Sequence, residues 1–361
     1  MKILLIQQKM IGDVLVSSIL CENLRKAYPK AQIDYMVYES TIAVLQGITS
    51  FDNLILFKEK HQKSKWEYFK LLKTIRAEKY DIVIDAYSKL ESWLVVLFSG
   101  AQQKISYWKK AREFLYTDTV KRKKTSNTNL GLIIEQRLAL LNPLHLDIEL
   151  ETFPKIYVTK KENDFASSLF ESHGINQSKK TVMVSIIGSS PDKTYPLEYM
   201  SQLVDFIAAK GDVNILFNYF PKQIEEAKII YNGCKEITKK KIYFSLLGKN
   251  IREFIAIMNH CEMIIGNDGG AINMAKALEK PSFIIFSPWI DKKGWATFED
   301  GINHVSLHLR EFKPNLFEGK TDKIIKKETI SFYNEFTPEL IFPTLNTFLD
   351  THLGSYLKTD T

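Results

Sequence analysis

At 361 residues, 45% hydrophobic and 25% charged, the chain has the composition of a globular protein and the length of two domains of about 150–200 residues each. No uncharged apolar run reaches about 18 residues, which excludes a membrane-spanning helix, and the three cysteines, Cys21, Cys234 and Cys261, are too widely spaced for a disulfide framework or structural zinc. The net charge of +7 is uneven: residues 104–124 hold eight Lys/Arg against Glu113 and Asp118. Such a patch suits a phosphorylated substrate, an anionic lipid or the membrane surface, or it is a solvated basic loop. No interleaved aromatic motif or helix-turn-helix pattern points to nucleic acid.

In chain order, residues 2–7 read as a strand, 8–13 as a turn around Gly12, and 14–28 as a helix with apolar residues at helical spacing. Lys9 and Asp13 interrupt the apolar run and no small-residue cleavage motif follows, so this is a strand and helix rather than a signal peptide. Strand 33–37 follows, then strand 54–57, helix 67–78, strand 81–85, helix 91–98 and strand 104–106. This alternation predicts a parallel sheet covered by helices. A long polar and basic loop runs to Thr128, of the length that is functional or disordered, before helix 129–141. Two prolines in 143–161 break the rhythm, placing a first domain at 1–160 and a second at 161–336. The second repeats the design, with a helix at 164–173 and strands at 182–187, 213–217, 242–244, 263–266 and 283–286. Helices near 197–209, 222–231 and 251–259 separate them. Segment 337–361 contains a last amphipathic helix, 338–349. The expected class is α/β: two doubly wound domains facing across a ligand cleft at their strand ends.

Four turns carry the residues that could do chemistry. In 262–287 a strand leads through Asn267-Asp268-Gly269-Gly270 into a helix and a second strand, a βαβ unit whose glycines and free helix-start amides suit a phosphate. Asp268 repels a phosphate, so it either caps the helix or binds sugar hydroxyls. Gly12-Asp13 follows the first strand; Asp13 is positioned as a general base for a hydroxyl, or as an ordinary cap. In 188–196 small hydroxyl residues and Lys193 could surround a phosphate, although the Walker spacing is absent; the alternative is a surface loop. Glu225 or Glu226 could hold a ribose diol or simply complement the helix dipole. The seven histidines show no metal spacing. No Asp-x-Asp pair suggests a metal–diphosphate site, so a diphosphate would be neutralised by Lys and helix ends. No Gly-x-Gly-x-x-Gly follows residues 2–7, which argues against a dinucleotide-dependent oxidoreductase.

Taken together, these turns resemble those of glycosyltransferase family 9, the heptosyltransferases of lipopolysaccharide core synthesis. The resemblance rests on KILLIQQKMIGDVLVSSILCENLRKAYPKAQIDYMV at the start and YDIVIDAYSKLESWLVVLFSGAQQKISY at 80–107. It continues through GSSPDKTYPLEYM at 188–200 and IIGNDGGAINMAKALEKPSFIIFSP at 264–288, covering most of residues 1–290. It implies the two-domain GT-B fold and an inverting, metal-independent, cofactor-free transfer of a sugar from a nucleotide sugar, in first place ADP-heptose. It also implies Asp13 as general base, Ser189, Ser190 and Lys193 on the diphosphate, and Glu225 on the ribose. Asp268 would hold the donor sugar, with Gly269 and Gly270 offering amides. Gly12, Lys109, Lys110 and Arg112, with Lys121–Lys124 nearby, would meet a phosphorylated or lipid-linked glycan at the inner face of the cytoplasmic membrane. The final helix would return to the first domain. Two positions depart from the family: Asn273 stands where a His commonly follows the signature Asp, and Lys9-Met10-Ile11 precede Gly-Asp. The alternatives are a UDP- or GDP-sugar transferase of the same fold, or a non-catalytic nucleotide-sugar or glycan-binding protein.

Overall fold

The first strand, β1 (Lys2–Ile6), is KILLI, and all but Lys2 is buried. A strand covered on both faces reads as an unbroken apolar run rather than an alternation. The computed structural model describes residues 1–354. In the first unit, Met1–Tyr157, β1 is joined by β2 (Gln32–Tyr38), β3 (Asn53–Phe57), β4 (Ile82–Asp85), β5 (Gln103–Tyr107) and β6 (Asp118–Val120). The sheet is parallel throughout in the order β3-β2-β1-β4-β5-β6. Strand order reverses beside β1, so the carboxyl ends of β1 and β4 flank the crevice where doubly wound sheets bind ligands. The helix Ile11–Ala27 starts there, and the helix Leu132–Ala139 packs on it.

The long basic loop is more ordered than its composition suggests. It contains β6, which pairs with β5, and its far end is tied down by the buried Glu135. That carboxylate accepts hydrogen bonds from the Ser126 hydroxyl (2.6 Å) and the amides of Asn127 and Thr128 (2.9 Å each). Burial opposes its charge, yet these donors hold its pKa down at about 2.

In the second unit, from Val158, β7 (Thr181–Ser185), β8 (Asn214–Asn218), β9 (Met263–Asn267), β10 (Ser282–Ile285) and β11 (His304–Leu307) form a parallel sheet in the order β11-β10-β9-β7-β8. Here the reversal lies between β7 and β9, beneath the loops 186–196 and 268–270. Two expectations are corrected. Residues 242–244 are not a strand: Ile242 makes only an isolated bridge to Ile215 at the sheet edge. The fifth strand is β11, whose short polar-apolar HVSL lacks the apolar run that marks the others. The final helix, Pro338–Leu353, packs on the helix Leu197–Lys210, and Ile341, Leu345, Phe348 and Leu349 join the second unit's core. The resemblance implied a return to the first domain. Residues 355–361 of that segment lie outside the described residues. Among the described residues no helix is long and apolar enough to cross a membrane.

Burial of β11 has a pH consequence. His304 is buried beside the Ser282 hydroxyl, Nδ1 to Oγ 3.1 Å. Desolvation first, and then the Lys276 ammonium, press its pKa down to about 4. Below about pH 6.5 the unfolded chain takes up a proton that the native imidazole refuses, so stability is lost as the pH falls towards 4, by about 2–3 kcal/mol. Melting curves of wild type and His304→Gln between pH 7 and 4 test this: the variant should show the shallower pH dependence, and equal slopes would remove His304 as its source.

Candidate active site

Asp13 lies in the third helical position of Ile11–Ala27, so it is not the N-cap, although one carboxylate oxygen accepts the Met10 amide at 3.3 Å. Its other oxygen accepts from Arg137 Nη2 at 3.0 Å. Arg137 reaches it from the helix Leu132–Ala139, and every nitrogen of its buried guanidinium is engaged. Nε donates to Ser17 Oγ (2.7 Å) and Nη1 to the Tyr107 hydroxyl (2.8 Å). Burial works against this charge, but Tyr107 and Asp13 outweigh it and hold the guanidinium above its ordinary pKa. The Tyr107 ring, at the end of β5, carries the Arg122 guanidinium over its face at 4.1 Å. One connected set therefore runs from the end of β1 to the basic loop: Asp13, Arg137, Tyr107, Arg122.

The cations expected at an acceptor divide. Lys109 Nζ donates to the Ser88 carbonyl at 2.9 Å. Its pKa is lowered by burial and by Arg122, Lys89 and Arg112, which shows how closely these charges converge. Arg112 stacks on Trp93 at 4.0 Å, whereas Lys110 and Lys121–Lys124 are exposed. Gly12 is buried in the helix. The nearby Asp85 is no candidate base, because its carboxylate is spent on the Ser88 amide and the Ser92 and Tyr116 hydroxyls.

In the second unit the loops after β7 and β9 are joined by Asn267. Its side-chain amide, fully buried, accepts from the Tyr195 amide (2.7 Å) and donates to the Ser185 carbonyl (2.9 Å). Glycine is obligatory on the first of these loops and in β9 just before the second. A Cβ on Gly188 would sit 2.2 Å from the Lys193 carbonyl oxygen, and one on Gly266, at φ +131°, 2.4 Å from that of Ser185. Asp268 does not cap the following helix, Gly270–Ala277, whose N-cap is Gly269. Its carboxyl is pushed upward by burial against the pull of Lys193 and Lys276. The space beside Gly269 is open. Ser189 is exposed, Ser190 donates to Asp192, and Asn273 is half-buried on the helix. Lys193 and Lys326 both lie over the Trp289 ring, at 5.5 and 4.2 Å, and Trp289 Nε1 donates to the Asp192 carbonyl at 2.9 Å. Glu225 is exposed and paired with Lys228 at 2.9 Å, two residues from Gln223, whose Nε2 donates to the Gly188 carbonyl at 2.9 Å; Glu226 is also exposed. No group of three His, Cys, Asp or Glu side chains among the described residues is arranged to hold a metal ion.

The profile of glycosyltransferase family 9 (heptosyltransferase) matches residues 68–323. The chain belongs to glycosyltransferase family 9. Among curated relatives of this family 9 enzyme, the lipopolysaccharide heptosyltransferase 3 of Escherichia coli is 24% identical over 289 residues, 76% of this chain and 80% of the relative. A family 9 glycosyltransferase from Veillonella parvula superposes with a TM-score of 0.80 at 18% identity, covering 96% of this chain and 97% of the other. The Escherichia coli heptosyltransferase WaaC solved with ADP gives 0.69 at 16% identity, covering 96% and 99%. The fold is GT-B, and the family 9 enzyme is a glycosyltransferase.

Sequence reading of the site missed Arg137, Tyr107, Trp289 and Lys326, and gave Asn267 no role although it named it in the turn. Arg137 alone left a signal, a cation on the same helix face as Ile134 and Leu138.

Proposed function

We propose that this family 9 enzyme transfers a sugar, heptose from ADP-heptose in first place, to a phosphorylated or lipid-linked glycan of the lipopolysaccharide-core type at the inner face of the cytoplasmic membrane. The observation that carries the reading is the Asp13 carboxylate beside the end of β1, fixed by a buried arginine. The acceptor hydroxyl oxygen forms a bond to the anomeric carbon from the face opposite the leaving group, and its proton passes to Asp13. The bond from that carbon to the diphosphate oxygen breaks and the configuration inverts. Arg137 is a positioning residue that keeps the carboxylate aimed while the hydroxyl approaches.

The diphosphate leaves with an additional negative charge, and fixed charges and dipoles lower that barrier most when they are in place beforehand. Lys193, the Ser189 hydroxyl, the amides of Gly269 and Gly270 and, once it turns from Asp192, the Ser190 hydroxyl supply them, without a metal ion. Asp268 takes donor sugar hydroxyls, consistent with its not being spent as a helix cap, and Glu225 takes the ribose. Lys109 and Arg112, with Lys110, meet the acceptor's anionic groups. The ADP in the related WaaC structure supports an adenine donor; Asn273 is the position at which a UDP- or GDP-sugar alternative would be decided.

Calorimetric titration with ADP, UDP and GDP, with and without magnesium, tests the donor. Tightest binding of ADP, unchanged by magnesium, is expected; preference for UDP or GDP overturns the donor, and no binding at all overturns the catalytic reading. Lys193→Ala should weaken ADP by about tenfold, the loss of one charge-assisted contact, and leave AMP nearly unaffected. Equal affinity of the wild type for AMP and ADP would remove Lys193 from the diphosphate.

A further inference from the structure

The helix Lys65–Glu78 buries Leu72 and Ile75 and packs on the helix Leu90–Ser99, but its outer surface is unusually apolar. Trp66 is 62% exposed and Leu97 54%, with Phe69 and Phe98 also exposed. The rings of Trp66, Phe69 and Phe98 form one continuous surface: Trp66 stacks on Phe69 (centroids 6.1 Å apart), and Phe69 meets Phe98 edge-on at 6.3 Å. Lysines lie along it, with Lys70 Nζ 5.8 Å from the Trp66 centroid and Lys73 Nζ 5.0 Å from that of Phe69. Residues 59–78 and 90–99 together carry six Lys/Arg against four Glu, an excess of two, with Lys70 paired to Glu67 at 2.7 Å.

From this combination we infer that the outer face of the helices Lys65–Glu78 and Leu90–Ser99 is a docking surface for an anionic lipid bilayer. A contiguous exposed apolar patch marks an interaction site, and two features choose the lipid over a protein. Lysine is depleted at the centres of protein interfaces, yet here the Lys70 and Lys73 ammonium groups lie over the rings themselves. Such side chains can lift their ammonium groups to phosphate headgroups while Trp and Phe enter the acyl boundary, the arrangement of interfacial helices. The net positive charge complements an anionic leaflet. The inference rests on the proposed lipid-linked acceptor only for its purpose, which would be to hold the enzyme where that acceptor resides.

The test is co-sedimentation of the whole protein with phosphatidylglycerol-containing and pure phosphatidylcholine vesicles, without donor or acceptor, so that it reads this surface whatever sugar is transferred. Binding to the anionic vesicles alone, weakened by salt, is expected. The double variants Trp66→Ala/Phe98→Ala and Lys70→Glu/Lys73→Glu should each lower it by about tenfold or more, with ADP affinity kept as the check on folding. Absence of binding to anionic vesicles, equal binding to neutral ones, or binding unchanged in both variants would overturn the inference. So would sedimentation showing that Trp66→Ala/Phe98→Ala abolishes a dimer and leaves vesicle binding intact, which assigns the surface to a second copy.

Discussion

Replacing Asp13 by Ala is expected to lower turnover by about 10²–10⁴-fold, the range that a positioned general base contributes, while ADP affinity stays within about twofold of wild type. The effect should lie in kcat, because the acceptor hydroxyl becomes a competent nucleophile only as its proton leaves. Removing the carboxylate also leaves the buried Arg137 without its counter-ion, so melting temperature must be recorded with the kinetics. Asp13→Asn, which can still accept from Nη2, separates the two effects: it should recover stability and not turnover. Wild-type turnover in either variant would remove Asp13 from the mechanism.

The second large effect is expected at Arg137. Its guanidinium holds Ser17, Tyr107 and Asp13 together in the core of the first unit. Arg137→Met should therefore cost about 3 kcal/mol of stability, as breaking a buried ion pair does, and about 10²-fold in kcat through a misplaced carboxylate. Arg137→Lys should recover part of the turnover, since it restores one charge but not the three-way fork. A double-mutant cycle isolates the positioning role. In an Asp13→Asn background Arg137→Met should add little further loss of kcat; independent, multiplying losses would show that the arginine does not act through Asp13. Tyr107→Phe, which removes the hydroxyl that accepts from Arg137 and donates to the Gln136 carbonyl while keeping both charges, gives a milder variant should Arg137→Met fail to fold.

The fold was legible where burial on both faces forced a compositional mark. The ILLI of β1 and the VMV of β7 are unbroken apolar runs, and the turns after them bring glycine and carboxylate or hydroxyl residues to the sheet's reversal. The strand β11 was hidden because His304 and Ser306 are polar and still buried; their partners lie on other segments, where a local pattern cannot reveal them. The same reason concealed half of the site. Asp13 and Lys193 stand in recognisable turns, but Arg137 comes from a helix more than a hundred residues further on, and Lys326 from a segment beyond the family's recognisable blocks. Asp268 is the converse case: the local pattern allowed an ordinary helix cap, and the backbone places that cap one residue later.

The buried amide of Asn267 ties the loop after β9 to the loop after β7, and this constrains how the donor site proposed for these loops can change. Neither loop is an independent module. A grafted loop 186–196 would arrive with a backbone path that the resident Asn267 no longer fits, and a grafted 264–273 would meet the wrong Ser185 carbonyl. Donor preference in such a scaffold should drift through side chains on a fixed backbone, such as Asn273, or be inherited with both loops together. A chimera that exchanges them as a pair is the unit with which to re-engineer it.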